Sequence, residues 1–294
     1  METTADLRPI PLDEAVARYL QEIARVRTEN VVANHTSMSK RFLTYFSTGR
    51  RRKYLADLRR EDLVAFLDWL TNRRGRFTLH TYNLGVEFIK RLVRFGMAQG
   101  WLEQDPTATI AYPEIEATVP TVLSSEELAR LLEVAQGDDF HFVLIGLLGQ
   151  VGLKKQELVA LRLADLELGG PSPAVVVRYG SKLRSKSRRL LLRPELAAAL
   201  ERYILRRQAG GGLGILEPLV PITGRQVNNI IVKLCKEAGI RRANPQILRD
   251  TAAVQLLQAG RPPEEVGHQL GYTPRGYLLE FLPRFQTWIG PLAE

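Results

Sequence analysis

Cysteine is nearly absent from this chain: Cys235 stands alone among 294 residues. No disulfide can therefore close within the molecule, and a chain of this length without one fits a reducing compartment. Cys235 falls among Ile230, Ile231 and Leu234, the setting of a buried structural thiol. No Cys/His cluster has the spacing of a metal site, so neither metal nor cofactor is expected. Long apolar runs are missing as well. The longest, Phe142-Val143-Leu144-Ile145-Gly146-Leu147-Leu148, falls far below the ~20 residues that span a bilayer and reads as a core helix. The opening METTADLRPIPLDEA lacks a basic-then-apolar leader pattern, so export is not expected and a cytoplasmic location is. The glycines between Gly210 and Gly214 lack the spacing of a phosphate cradle.

Positive charge is what the chain has in excess, with 41 Lys and Arg against 32 Asp and Glu and a net +9. Clustering matters more than the total, because a polyanion is neutralised locally and releases its counterions there. Arg50-Arg51-Arg52-Lys53, Arg59-Arg60, and Arg73-Arg74 with Arg76 are such clusters in the first half. Between Arg178 and Arg189, six of twelve residues are basic and none is acidic. Nucleic acid is the partner these clusters predict.

Hydrophobic periodicity divides the chain in two. Leu12, Val16, Tyr19, Leu20 and Ile23 fall at helical spacing, as do Met38, Phe42, Tyr45 and Phe46. Leu63, Phe66, Leu67 and Leu70 follow the acidic pair Glu61-Asp62, and a fourth stripe runs through Leu84, Phe88, Leu92 and Phe95 to Gly100. The pattern predicts a four-helix bundle over residues 1–108 whose aromatics are core. Pro106, Pro113 and Pro120 then break the periodicity, which predicts a linker over 109–122. A second domain, 123–294, opens with a capping box at Ser124 and Glu127. Helices are expected near 125–136, 139–151 and 155–160, short strands at Leu166–Leu168, 174–178 and 190–192, and helices again after Pro194 and after Thr223 with Gln226.

Three phrases carry chemistry. Val151 to Leu158 reads VGLKKQEL, Tyr179 to Arg189 reads YGSKLRSKSRR, and Asn244 to Phe285 reads NPQILRDTAAVQLLQAGRPPEEVGHQLGYTPRGYLLEFLPRF. They resemble the tyrosine recombinases, the integrase family that includes the Xer proteins, with its phrases TGLRxxEL, GKGxKxRxVPL and PHxLRHTxAxxLLxxGxxxxxIxxxLGHxxxxxTxxYxxx. The likeness extends to Trp101-Leu102-Glu103-Gln104-Asp105-Pro106 and to Val119-Pro120-Thr121-Val122-Leu123. It implies a mainly α fold with a small antiparallel sheet: a four-helix, SAM-like core-binding domain and an α+β catalytic-type domain, clamped around double-stranded DNA.

Cleavage in this family needs a tyrosine oxygen to attack a phosphodiester in line, cationic donors on the phosphate oxygens, and a general acid for the departing sugar oxygen. The resemblance places Lys154 where the first arginine stands, keeping the charge and losing the planar fork. Lys182, or Lys186 with Arg188, takes the place of the hairpin lysine. Gln246 replaces the first histidine and cannot titrate near neutrality, Arg249 is retained, and Tyr272 replaces the second histidine. Phe281 takes the place of the nucleophile, and a phenyl ring has no oxygen to attack with. The implication is a recombinase scaffold that holds DNA without cutting it, as an accessory, architectural or regulatory factor in recombination or integration. Its expected DNA contacts are Arg50, Arg51, Arg52, Lys53, Arg73, Arg74, Arg76, Lys154, Lys182, Arg184, Lys186, Arg188 and Arg249.

Two alternatives stay open. An active recombinase would use a displaced tyrosine, Tyr277 or Tyr272; Tyr277 lies one helical turn, about 5.4 Å, from Phe281. An interaction module would use Phe285, Trp288 and Ile289 to dock on a second copy or on an active recombinase, as the family's C-terminal segment does between protomers; folding back on its own core is the other reading of that tail.

Overall fold

The computed structural model describes residues 9–27, 29–48, 52–72, 79–113, 119–181, 184–211 and 214–289. The chain divides into two compact units, Met1–Glu116 with Gly180–Ser185, and Ala117–Tyr179 with Lys186–Glu294.

Helices α1 (Leu12–Val26), α2 (Glu29–Thr48), α3 (Arg60–Asn72) and α4 (Leu79–Ala98) build the first unit. Each apolar stripe turns inward, which is how amphipathic helices remove their surface from water. Phe42, Phe66 and Phe88 are fully buried, and the Phe42 ring meets the other two edge-on at 5.2 and 5.4 Å between centroids. The bundle closes tightly at Gly85 of α4, where a Cβ would stand 2.7 Å from Leu67 of α3. Ile110, beyond the helices, is buried in the same core.

In the second unit α5 (Ser125–Ala135), α6 (Asp139–Gly149), α7 (Lys155–Ala160), α8 (Pro194–Ala209), α9 (Gly224–Glu237) and α10 (Pro245–Gln258) surround a larger core. The capping boxes at Ser124/Glu127 and Thr223/Gln226 form as the sequence predicts. The run Phe142–Leu148 is buried throughout because α5, α8 and α10 all pack on α6; a helix apolar on every side needs such a central position. Cys235 is buried, and desolvation pushes its thiol pKa up.

Strands β1 (Leu166–Glu167), β2 (Ala174–Ser181) and β3 (Arg184–Leu191) form one sheet in that order, with Leu166 opposite Val175 and Glu167 opposite Ala174 in the antiparallel β1–β2 pair. The hairpin strands run well beyond the short apolar segments expected from sequence. Backbone pairing continues past the apolar residues, and β3 alternates regardless of polarity: Arg188 and Leu190 are buried while Ser187, Arg189 and Leu191 are exposed.

Helix α11 (Pro263–Gln269), the short α12 (Pro274–Gly276), a π turn at Tyr277–Phe281 and α13 (Leu282–Ile289) complete the chain's described part. Phe281 and Phe285 pack with Ala253, Val254 and Leu257 of α10 and with Val266 and Leu270 into a third cluster. The tail therefore folds back on its own unit, with Phe285 fully buried and Trp288 and Ile289 half-buried against the cluster.

Arg188 is the main departure from the sequence reading. Its side chain is 1% exposed, its Nε donates to the Gln269 carbonyl at 2.8 Å, and a terminal nitrogen pairs with Glu157 at 2.8 Å. The residue joins β3 to α7 and α11 from inside the unit instead of lying on its surface. Gly271, at φ +73°, makes room for it, since a Cβ there would stand 2.6 Å from the guanidinium. Arg188→Ala should therefore lower unfolding free energy by about 3–5 kcal/mol, the loss when one partner of a buried ion pair is removed. Urea unfolding at unchanged m-value measures it; a loss below about 1 kcal/mol would mark the pair as solvated.

Candidate nucleic-acid interface

Gly152, at φ +82°, turns the chain into α7, and a Cβ there would stand 2.6 Å from Leu270. The turn delivers Lys154 to the helix cap, where its backbone N–H donates to Glu157 at 2.8 Å. Across from it, Asn244 caps α10 by accepting from the N–H groups of Gln246 and Ile247 at 2.8 and 3.0 Å, with Pro245 in the first turn. An open cavity of about 400 Å³ lies here, lined by Lys154, Lys155, Asn228, Asn244, Pro245, Gln246 and Arg249. Two lysines, a buried guanidinium and the N-terminus of α10 give it the character of an anion site.

Arg249 is 4% exposed and donates to the carbonyls of Gly152 and Leu270. Arg249 thus ties α10 to the turn before α7 and to the end of α11, and supplies charge from the cavity wall. Its guanidinium carbon stands 5.7 Å from the Tyr272 ring centre. Lys154 is exposed as a whole residue, yet partial loss of solvent at its ammonium, followed by the Arg249 charge, lowers its pKa. Glu157 and Glu280 act in the opposite direction.

Gln246 donates from Nε2 to Asp250 Oδ1 at 2.8 Å. Asp250 is 3% exposed and forms its other bond with Arg284 of α13. Burial raises the Asp250 pKa, while Arg284, Gln246 and Arg249 hold it down.

Tyr272 is half-buried and meets Phe281 edge-on, 5.3 Å between centroids. Phe281 itself is 0% exposed, stacked on Tyr277 at 5.5 Å and packed on Phe285 at 4.8 Å. Its neighbours Leu278 and Leu279 are 60% and 63% exposed on the π turn. Tyr277 covers Gly267, where a Cβ would meet the ring at 2.6 Å. Desolvation pushes its pKa up, which makes the phenolate harder to form at neutral pH.

Lys154, Gln246 and Arg249 therefore share one cavity, with Arg188 behind it through Glu157, Tyr272 beside Arg249, and Phe281 against Tyr272. Of the other basic positions, Arg178 pairs with Asp165 and Arg189 with Glu167 at 2.6 Å, so with Arg188 on Glu157 three of the hairpin's six cations are paired with acids of β1, of the turn before it and of α7. In the first unit Arg52 pairs with the buried Asp62 at 3.1 Å and Lys53 is exposed. Arg50, Arg51, Arg73, Arg74, Arg76 and Lys182 lie outside the described residues, as do the side chains of Arg184 and Lys186. Lys155, Asn228, Asn244, Asp250 and Arg284 were not singled out from sequence as site residues. Asn244 had a signal, as the cap ahead of Pro245; the others are brought in only by the packing of α7, α9, α10 and α13.

Residues 121–275 match the phage integrase family, a span of more than half the chain that ends ahead of Phe281. Tyrosine recombinase XerC of Azotobacter vinelandii is 30% identical over 269 residues, covering 84% of each chain. Tyrosine recombinase XerC of Roseiflexus castenholzii is 26% identical over 278 residues, 89% of this chain and 86% of the relative. Among solved structures, the XerH site-specific recombinase bound to palindromic difH substrate in a post-cleavage complex superposes with a TM-score of 0.70 at 18% identity, covering 92% of this chain and 94% of that one. A lambda integrase (75–356) dimer bound to a COC′ core site gives 0.67 at 14% identity, with 97% and 99% coverage, a likeness of fold. The chain is a member of the phage integrase family, the tyrosine recombinases.

Proposed function

We propose that this chain binds double-stranded DNA on the tyrosine recombinase scaffold without cleaving it, as an accessory, architectural or regulatory factor in recombination or integration. The observation that carries the reading is Phe281: the ring at the nucleophile's place is fully buried among Tyr272, Tyr277 and Phe285 and has no oxygen. The remaining chemistry is compatible with holding a phosphate and ill suited to breaking one. Lys154 and Lys155 supply charge at the cavity, and Gln246 supplies a non-titrating amide where a proton donor is needed. The solved relatives of this fold include recombinases described as bound to their DNA sites, which supports duplex DNA as the partner. In this reading residues 1–108 and 123–294 are the two DNA-holding domains, joined by 109–122. Contacts come from Lys154 and the basic clusters, including Arg50, Arg51, Arg52, Lys53, Arg73, Arg74, Arg76, Lys182, Arg184 and Lys186.

The displaced-tyrosine alternative has less support. Tyr277 is half-buried, stacked on Phe281, and raised in pKa by burial. Docking of Phe285 on a neighbour would require extracting a fully buried ring from its own core.

Lys154→Ala with Lys155→Ala should weaken binding to mixed-sequence duplex and reduce the salt slope of log K by about 0.9 for each phosphate that is no longer neutralised. Fluorescence anisotropy between low and moderate salt reads this, and an unchanged slope would remove the cavity from the interface. The wild-type chain incubated with a nicked duplex should leave no DNA attached after denaturing detergent. A detergent-resistant adduct that disappears in Tyr277→Phe or Tyr272→Phe would instead identify an active recombinase.

A further inference from the structure

The cavity has a carboxylate in its second layer, and the residue that neutralises it comes from the C-terminal helix. Gln246 lines the cavity and donates to Asp250 Oδ1 at 2.8 Å; Asp250 is 3% exposed; Arg284 of α13 binds its other oxygen. A buried carboxylate one hydrogen bond away from an anion site opposes any anion that enters, unless its charge is balanced locally. Arg249 lies beside it on α10, but its terminal nitrogens donate to the Gly152 and Leu270 carbonyls. Arg284 is therefore the cation bonded to Asp250, although it does not line the cavity.

We infer that Arg284 is a positioning residue for the phosphate site: α13 docked on α10 neutralises Asp250, holds the Gln246 amide in place, and so completes the pocket for a DNA phosphate. This rests on the DNA-binding reading above and adds its regulation. Docking of α13 and phosphate binding favour one another, because each makes the other's charge arrangement less costly, and such coupling is reciprocal. A chain whose last helix is displaced keeps Lys154 and Lys155 and loses affinity nonetheless.

Geometry gives the direction of the pH effect. The groups facing Asp250 are Arg284 from α13 and Gln246 and Arg249 from its own helix. Burial already raises the Asp250 pKa, and Arg284 is the largest influence lowering it. Without Arg284 the pKa rises further, so the carboxylate is charged and repulsive at higher pH and protonates as pH falls. The defect of an Arg284 variant, taken as a ratio to wild type, should thus shrink on acidification.

The test measures affinity of the full chain for one mixed-sequence duplex at pH 8 and pH 6, for wild type, R284A, R284K and the double variant D250N/R284A. We expect R284A to bind about tenfold more weakly at pH 8, a loss of the size one uncompensated charge near the site produces. The loss should narrow at pH 6, R284K should retain most of the affinity, and D250N/R284A should regain it. Where R284A is unfolded at the assay temperature, the comparison runs between R284K and D250N/R284A, both expected near wild type. Wild-type binding with R284A unaffected, or with no recovery in the folded double variant, overturns the inference and leaves the DNA reading standing. A wild-type chain that does not bind the duplex overturns both.

Discussion

The second unit depends on one buried cation. Arg249 sends its terminal nitrogens to the carbonyl of Gly152, ahead of α7, and to that of Leu270, at the end of α11. Both carbonyls lie at the ends of local structure, and a buried unsatisfied carbonyl costs about 1–3 kcal/mol. The same guanidinium fixes the turn that places Lys154 opposite the start of α10. A residue type that active recombinases use on the phosphate is therefore also the tie that shapes the cavity around it. Neither of these bonds involves Phe281, so the shape of the cavity does not depend on the side chain at that position.

Around that tie, charge is arranged in pairs that cross elements. Arg188 of β3 binds Glu157 of α7, Arg284 of α13 binds Asp250 of α10, and Arg178 and Arg189 are met by Asp165 and Glu167. A run of basic residues with no acid among them is thus partly balanced by acids far away in sequence. Pairing leaves the net charge unchanged but removes these arginines from the freely available cations, whereas Lys154 and Lys155 line the cavity opening.

The architecture was largely legible. Periodic stripes such as Leu63, Phe66, Leu67 and Leu70 identify α3, and the capping pairs Ser124/Glu127 and Thr223/Gln226 locate α5 and α9, because helix formation is governed by neighbours three and four positions apart. The hairpin was legible only in part. Its charged outer half shows no apolar alternation, and Arg188 occupies an inward position that sequence patterns assign to a hydrophobe. The π turn had no signal at all. It inserts a residue into one helical turn and sends Leu278 and Leu279 outward while Phe281 goes in, which spacing arguments built on 3.6 residues per turn misplace.

By itself, the sequence determined residue chemistry: Phe281 has no oxygen, Gln246 cannot carry a proton, Lys154 keeps a charge without a fork, and phrases around these positions resemble those of tyrosine recombinases. These properties belong to single side chains and survive any packing. Tertiary structure decided which groups are available. It withdrew Arg188 into an ion pair, turned Arg249 toward backbone carbonyls, seated Phe285 in its own core, and brought Arg284 to Asp250 behind Gln246. Hydrogen-bond donors and charges act over a few ångströms, and only the fold places residues 34 positions apart, such as Asp250 and Arg284, within that reach.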